Sequence, residues 1–128
     1  MPSPNDRKYT QSHEWIKISG SSATVGLSEF AIHAIKDIVF LELPQVGQSF
    51  EKLKPFGVIE SVKAVFDLNC PLPGTITQVN SALVDDFDTL AKDCYGQGWL
   101  LKLDFKGEDV THLMDSSAYD AFCAQEQH

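Results

Sequence analysis

The sequence predicts a mainly β, α+β protein, a small sandwich or barrel of antiparallel strands with helices late in the chain. Three observations carry this expectation. Between Pro44 and Asn80, the residues Pro44, Gly47, Pro55, Gly57, Pro71, Pro73 and Gly74 cut the chain into short β-type stretches, and strands separated by turn signals about every eight to twelve residues mark a sandwich or barrel. Within that region, Val58-Ile59-Glu60-Ser61-Val62 and Val65-Phe66-Asp67-Leu68 alternate about a tight connection at Lys63. Towards the C-terminus the spacing turns helical, and Leu113, Met114, Tyr119, Phe122 and Cys123 form apolar faces suited to covering an open side of the β core.

The elements follow in order. A polar, Pro-containing leader over 1–8 is expected to be flexible. Trp15, Ile16 and Ile18, then Gly20-Ser21-Ser22, then Ala23 to Leu27 read as a hairpin. Ser28 caps a helix about two turns long, with Glu29 in its first turn and Phe30, Ala31, Ala34 and Ile35 along one face. Asp37 to Leu43 is a strand stopped by Pro44. Ser81 to Lys92 is acidic and helix-compatible, and GQGWLLKLDF, ending at Phe105, returns to strand. The residues 107–128 are expected as C-terminal helices, Glu108 to Met114 and Ser116 to Gln125. No linker divides the chain, so 1–128 is expected to form one domain.

Composition narrows the function. The 128 residues carry a formal charge of −8, which argues against nucleic acid and against anionic membrane surfaces, both of which draw on clustered Lys and Arg. No apolar run reaches the roughly 18 to 20 residues of a membrane span. The first residues show neither an apolar signal core nor an Arg-rich transit pattern, which reads as a cytoplasmic start. Cys70, Cys94 and Cys123 are odd in number and widely spaced, fitting reduced structural thiols better than a disulfide or zinc framework. His33, His112 and His128 lack ligand spacing, so no metal site is expected. Asp85, Asp86 and Asp88 suit a helix start better than a calcium loop. His13 and Glu14 are adjacent, and neighbours on a strand point to opposite faces, so they make a poor catalytic pair. No catalytic constellation emerges.

A lysine in a turn is ordinarily a solvent-facing charge. Lys63 has unusual company. Glu60-Ser61-Val62-Lys63-Ala64 resembles the lipoyl-attachment motif of the glycine cleavage system H protein family. The resemblance extends in the same order through Ser12-His13-Glu14-Trp15, Val25-Gly26-Leu27, Asp37-Ile38-Val39-Phe40 with Glu42-Leu43-Pro44, Val46-Gly47, Pro73-Gly74, Val79-Asn80 and Tyr95-Gly96 with Gly98-Trp99. It spans about Tyr9 to Phe122. Biotin carriers flank their lysine with Met, and lipoyl domains of 2-oxo acid dehydrogenases place an acid before it. Val62 and Ala64 match neither.

The resemblance implies a lipoyl/biotinyl-type barrel-sandwich hybrid of two small antiparallel sheets, with the modified lysine at a hairpin tip. It implies a non-catalytic, monomeric carrier bearing lipoate as an amide on Lys63. Glycine decarboxylase, aminomethyltransferase, dihydrolipoyl dehydrogenase and a lipoate-attaching enzyme are the implied partners. Ser12, Glu14, Leu27, Ala31, Ile35 and Asp67 match positions of the family's arm-docking cleft, although core packing explains the aliphatic three equally well. Gly47, Glu60 and Asp67 match positions read by lipoate-attaching enzymes. Three residues depart from the family pattern: Phe66 is bulky just past the lysine, Lys36 stands where Gly is common, and Cys94 where Pro is common. Two other readings stay open, a lipoyl carrier or lipoate relay outside glycine cleavage, and an unmodified binding module.

Overall fold

The computed structural model describes residues 3–105 and 110–126. Among them, nine strands form two antiparallel sheets. The larger joins β1 (Lys8–Tyr9), β2 (Glu14–Ser19), β3 (Ser22–Leu27), β9 (Leu101–Phe105), β8 (Gly74–Val79) and β5 (Ser49–Phe50), in the order β1-β2-β3-β9-β8-β5. The smaller joins β4 (Ile38–Glu42), β6 (Pro55–Ser61) and β7 (Val65–Asn69), in the order β4-β6-β7. This is the expected barrel-sandwich hybrid. The sheets close over Ile16, Val25, Leu41, Ile59, Leu68, Ile76, Leu101 and Leu103, all nearly inaccessible to solvent.

The N-terminal hairpin shows how alternation builds this core. In β2 and β3, Ile16 opposes Val25 and Trp15 opposes Gly26, so Ile16 faces the partner sheet while Trp15 faces outward. A Cβ on Gly26 would lie 2.5 Å from the Trp15 ring. Glycine therefore lets the indole lie across its neighbouring strand. Outside the sheet, Trp15 joins a second apolar cluster with Tyr9, Tyr119 and Cys123, and its Nε1 donates to the Cys94 carbonyl at 2.9 Å.

Helices seal the edges. In α1 (Glu29–Ile35), the Ser28 hydroxyl accepts from Ala31 N–H, and Ala31, Ile32 and Ile35 are buried. The stretch from Ser81 to Lys92 forms two pieces, a 3-10 turn (Ser81–Asp85) and α2 (Phe87–Lys92), divided at Asp86, whose side chain caps α2 through Thr89 N–H. The last helix, α3 (Ser116–Glu126), packs Tyr119 and Cys123 inward.

The C-terminal region departs from the expected pair of helices. Glu108 and its neighbours over 106–109 lie outside the described residues, while 110–114 form a turn and a β-bridge rather than a helix. Tyr9 and Met114 exchange two backbone hydrogen bonds of 2.8 Å, and that pairing uses the groups a helix would need. Within residues 3–8, the Ser3 hydroxyl donates to Asp120 at 2.7 Å, and the Arg7 guanidinium lies 4.6 Å from the Trp15 ring centroid.

Candidate functional site

Lys63 occupies the turn between β6 and β7 and is exposed. Ser61 N–H donates to the Ala64 carbonyl at 2.8 Å, closing the turn around Val62 and Lys63. The Ser61 hydroxyl oxygen accepts from Lys63 N–H at 3.2 Å and from Ala64 N–H at 3.1 Å. Val62 N–H donates to the Asp37 carbonyl at 3.3 Å, anchoring the tip to the segment between α1 and β4. That segment is strained, since Lys36 and Asp37 have φ of +49° and +45°, a region L-residues avoid. Lys36 also has ψ of 155°, a combination almost confined to glycine. The physical cost of the Lys36 departure is therefore visible in the backbone.

Glu14 is the most unusual charged side chain in the fold. It opposes Leu27 and shares its face of β2 with Ile16, so it points between the sheets and is 0% exposed. Its Oε1 accepts from the Thr10 hydroxyl at 2.7 Å and the Ser12 hydroxyl at 2.5 Å. Its Oε2 accepts from Asn69 N–H at 3.1 Å, at the end of edge strand β7. Burial pushes the carboxyl above its ordinary range, and the donors from Ser12, Thr10 and Asn69 pull it part of the way back. A groove of about 620 Å³ opens beside this cluster, with Thr10, Ser12, Asn69 and His112 among its walls.

The remaining residues singled out from the sequence fall into separate places. Ser12 and Glu14 are brought into direct contact. Leu27, Ala31 and Ile35 are 2%, 6% and 9% exposed and belong to the main core, so in this state they pack rather than line an open cleft. Glu60 and Asp67 share the outward face of the small sheet, in adjacent rows: Glu60 opposes Val65, and Asp67 opposes Val58. Gly47 lies in a turn at the edge of the other sheet, with φ of +96° and its N–H on the Ile76 carbonyl at 2.8 Å. Sequence reasoning missed Thr10 and Asn69. Thr10 had a faint signal in its spacing of four from Glu14, across a turn closed by His13 N–H on the Thr10 carbonyl. Asn69 had none, because it contributes a backbone group.

Comparison with known proteins decides the family. The family model described as Glycine cleavage H-protein matches residues 7–126. This chain belongs to the glycine cleavage H-protein family. A glycine cleavage system H protein of Symbiobacterium thermophilum is 43% identical over 120 residues, covering 93% of this chain and 94% of the relative. One of Thermosynechococcus vestitus is 50% identical over 100 residues, covering 78% and 79%. The crystal structure of a glycine cleavage system H protein from Mycobacterium marinum superposes with a TM-score of 0.83 at 38% identity, covering 98% of this chain and 99% of that one. The membership agrees with the two-sheet architecture and gives the hairpin lysine its context.

Proposed function

We propose that this protein is the lipoate-bearing carrier of glycine cleavage, with lipoate attached through an amide to Lys63. The observation that carries this reading is the exposed Lys63 at a hydrogen-bonded hairpin tip, in a chain of this family. The residues around it fit the group, because an exposed amine on a fixed turn offers an attachment point that any enzyme can approach. Lipoate would supply a dithiolane able to accept an aminomethyl group and to carry two electrons as a dithiol, chemistry that no side chain here offers. The chain's own part is to anchor, present and protect. Ser61 and Asp37 fix the anchor, so that tethering concentrates the arm near a docked enzyme.

Protection falls to the other end of β7. Ser12 and Glu14 offer polar groups suited to an ammonium, and Asp67 lies on β7 between them and the tip. Because Glu14 is fully covered, a cation reaches its carboxylate only when the Ser12 hydroxyl gives way. Leu27, Ala31 and Ile35 line a docked arm only after the segments above them shift. Glu60, Asp67 and Gly47 serve recognition by the lipoate-attaching enzyme. The carrier acts as a monomeric single domain, itself without catalytic residues, that meets glycine decarboxylase, aminomethyltransferase and dihydrolipoyl dehydrogenase in turn in the cytoplasm.

The test is intact mass and peptide mapping after incubation with an active lipoate ligase, lipoate and ATP. One lipoyl group confined to Lys63 is expected. The Lys63→Arg variant is expected to gain none while keeping its melting temperature. A folded wild-type protein left unmodified by an active ligase overturns the assignment.

A further inference from the structure

The outward faces of the two sheets differ in character. On the large sheet, Lys17, Thr24, Lys102 and Gln78 form one row, a polar surface of the usual kind. On the small sheet, Phe40, Glu60 and Val65 form one row and Glu42, Val58 and Asp67 the next. Apolar and acidic side chains thus alternate in both directions. No Lys or Arg occurs in β4, β6 or β7.

Two further observations mark this face. Among the described residues, ten large hydrophobic side chains are exposed, and five belong to β4 or the Lys63 hairpin: Phe40 and Val65 on this face, Val39 at the bulge and Val62 at the tip beside it, and Phe66 on the opposite side, across from Ile59. The pairing of β4 with β6 also slips between Ile38 and Phe40. Strict alternation would bury one of Val39 and Phe40, yet they are 55% and 44% exposed. A bulge that turns two successive apolar side chains to water is a means of aiming them at something. Exposed apolar groups gathered beside one functional residue mark an interaction surface.

We infer that this checkerboard face is the docking surface for the enzyme that loads the arm. That enzyme would present an apolar hollow, filled by Phe40 and Val65, ringed by Arg or Lys opposite Glu42, Glu60 and Asp67. The inference rests on the carrier reading and adds to it a surface and a partner chemistry. Charge complementarity favours this occupant: a carrier met once per turnover needs fast encounter and fast release, which acidic groups around a small apolar centre supply.

The experiment uses lipoylated protein as the varied substrate of glycine decarboxylase. Wild type is compared with Phe40→Thr/Val65→Thr, with Glu42→Lys, and with Gln78→Lys on the large sheet as control. The first two are expected to raise KM about tenfold, the loss typical of an interface anchor, with kcat and melting temperature unchanged, while the control matches wild type. The Glu42→Lys defect is expected to shrink as salt rises. Unchanged KM in both face variants overturns the docking proposal while leaving the carrier reading intact. A wild type that gains no lipoyl group defeats the carrier reading itself. Should the double variant misfold, Glu42→Lys decides alone, because Glu42 is exposed.

Discussion

Replacing Tyr119 by Phe tests how α3 is held to the sheets. The Tyr119 hydroxyl lies 2.5 Å from the Ser28 hydroxyl and 2.7 Å from His13 Nδ1, and both Tyr119 and Ser28 are 0% exposed. Burial holds the phenol far above its usual titration range, so it stays neutral. Phe preserves the ring stack on Tyr9, whose centroid is 4.5 Å away, and removes only the hydroxyl. Two hydrogen bonds are lost, at about 1 kcal/mol each, and the buried Ser28 hydroxyl keeps only Ala31 N–H, so a total of about 2–3 kcal/mol follows. For a chain of this length that lowers Tm by roughly 6–15 °C. Urea unfolding followed by far-UV circular dichroism should give the same loss with an unchanged m-value. A double-mutant cycle with Ser28→Ala should show a coupling of about 1 kcal/mol. A Tm drop under about 2 °C would refute the claim that this hydroxyl joins α3 to the α1 cap.

Three other outcomes follow from the geometry. Glu14 has its folded pKa raised from 4.5 by burial, so the folded state binds its proton more tightly than the unfolded one and the buried charge costs stability above the raised value; Glu14→Gln should therefore gain on wild type as pH rises from 4.5 to neutrality, and a pH-independent difference between their urea midpoints would contradict this. Lys36→Gly relieves a backbone conformation that side chains avoid and should add about 1 kcal/mol, net of glycine's greater unfolded-state entropy, read as a higher melting temperature. Cys70 and Cys94 are buried with their thiols pushed up to about 11, so at about pH 8 neither should react with a thiol reagent in the native protein, whereas both should react in denaturant.

Much of this fold is legible from local chemistry. Ser28 reads as a cap because its hydroxyl precedes an apolar helical face, and the tip at Lys63 reads as a turn because alternation resumes on both sides of it. The failures have a common cause. The 110–114 stretch has a helical pattern, yet Met114 is claimed by Tyr9, far earlier in the chain. Glu14 reads as a strand residue of either face, and only the closure of two sheets shows that its carboxylate meets a backbone N–H of β7. The bulge at Val39 is invisible too, since the unbroken run of hydrophobic and acidic residues from Asp37 to Leu43 looks like an ordinary strand until its register with β6 is known. Resemblance supplied Lys63 and the polar pair Ser12 and Glu14, but not the donors Thr10 and Asn69 that hold Glu14 in place.

The distribution of rigidity around Lys63 bears on what a carrier must do. Hydrogen bonds among Ser61, Lys63 and Ala64 fix the backbone of the turn, and another ties it to Asp37, in a segment whose left-handed backbone is itself unfavourable. Such strain persists only where the surrounding structure over-determines it, and here the buried Ile35 on one side and Leu41 on the other supply that constraint. A fixed turn loses little further entropy when an enzyme grips it, so more of the contact energy remains for recognition. In the proposed carrier role, freedom of movement then resides in the long lysine side chain. The division between a stiff anchor and a loose tether explains why strain is tolerated at Lys36 and Asp37: relaxing that segment would move the Asp37 carbonyl away from Val62 N–H and loosen the turn that carries Lys63.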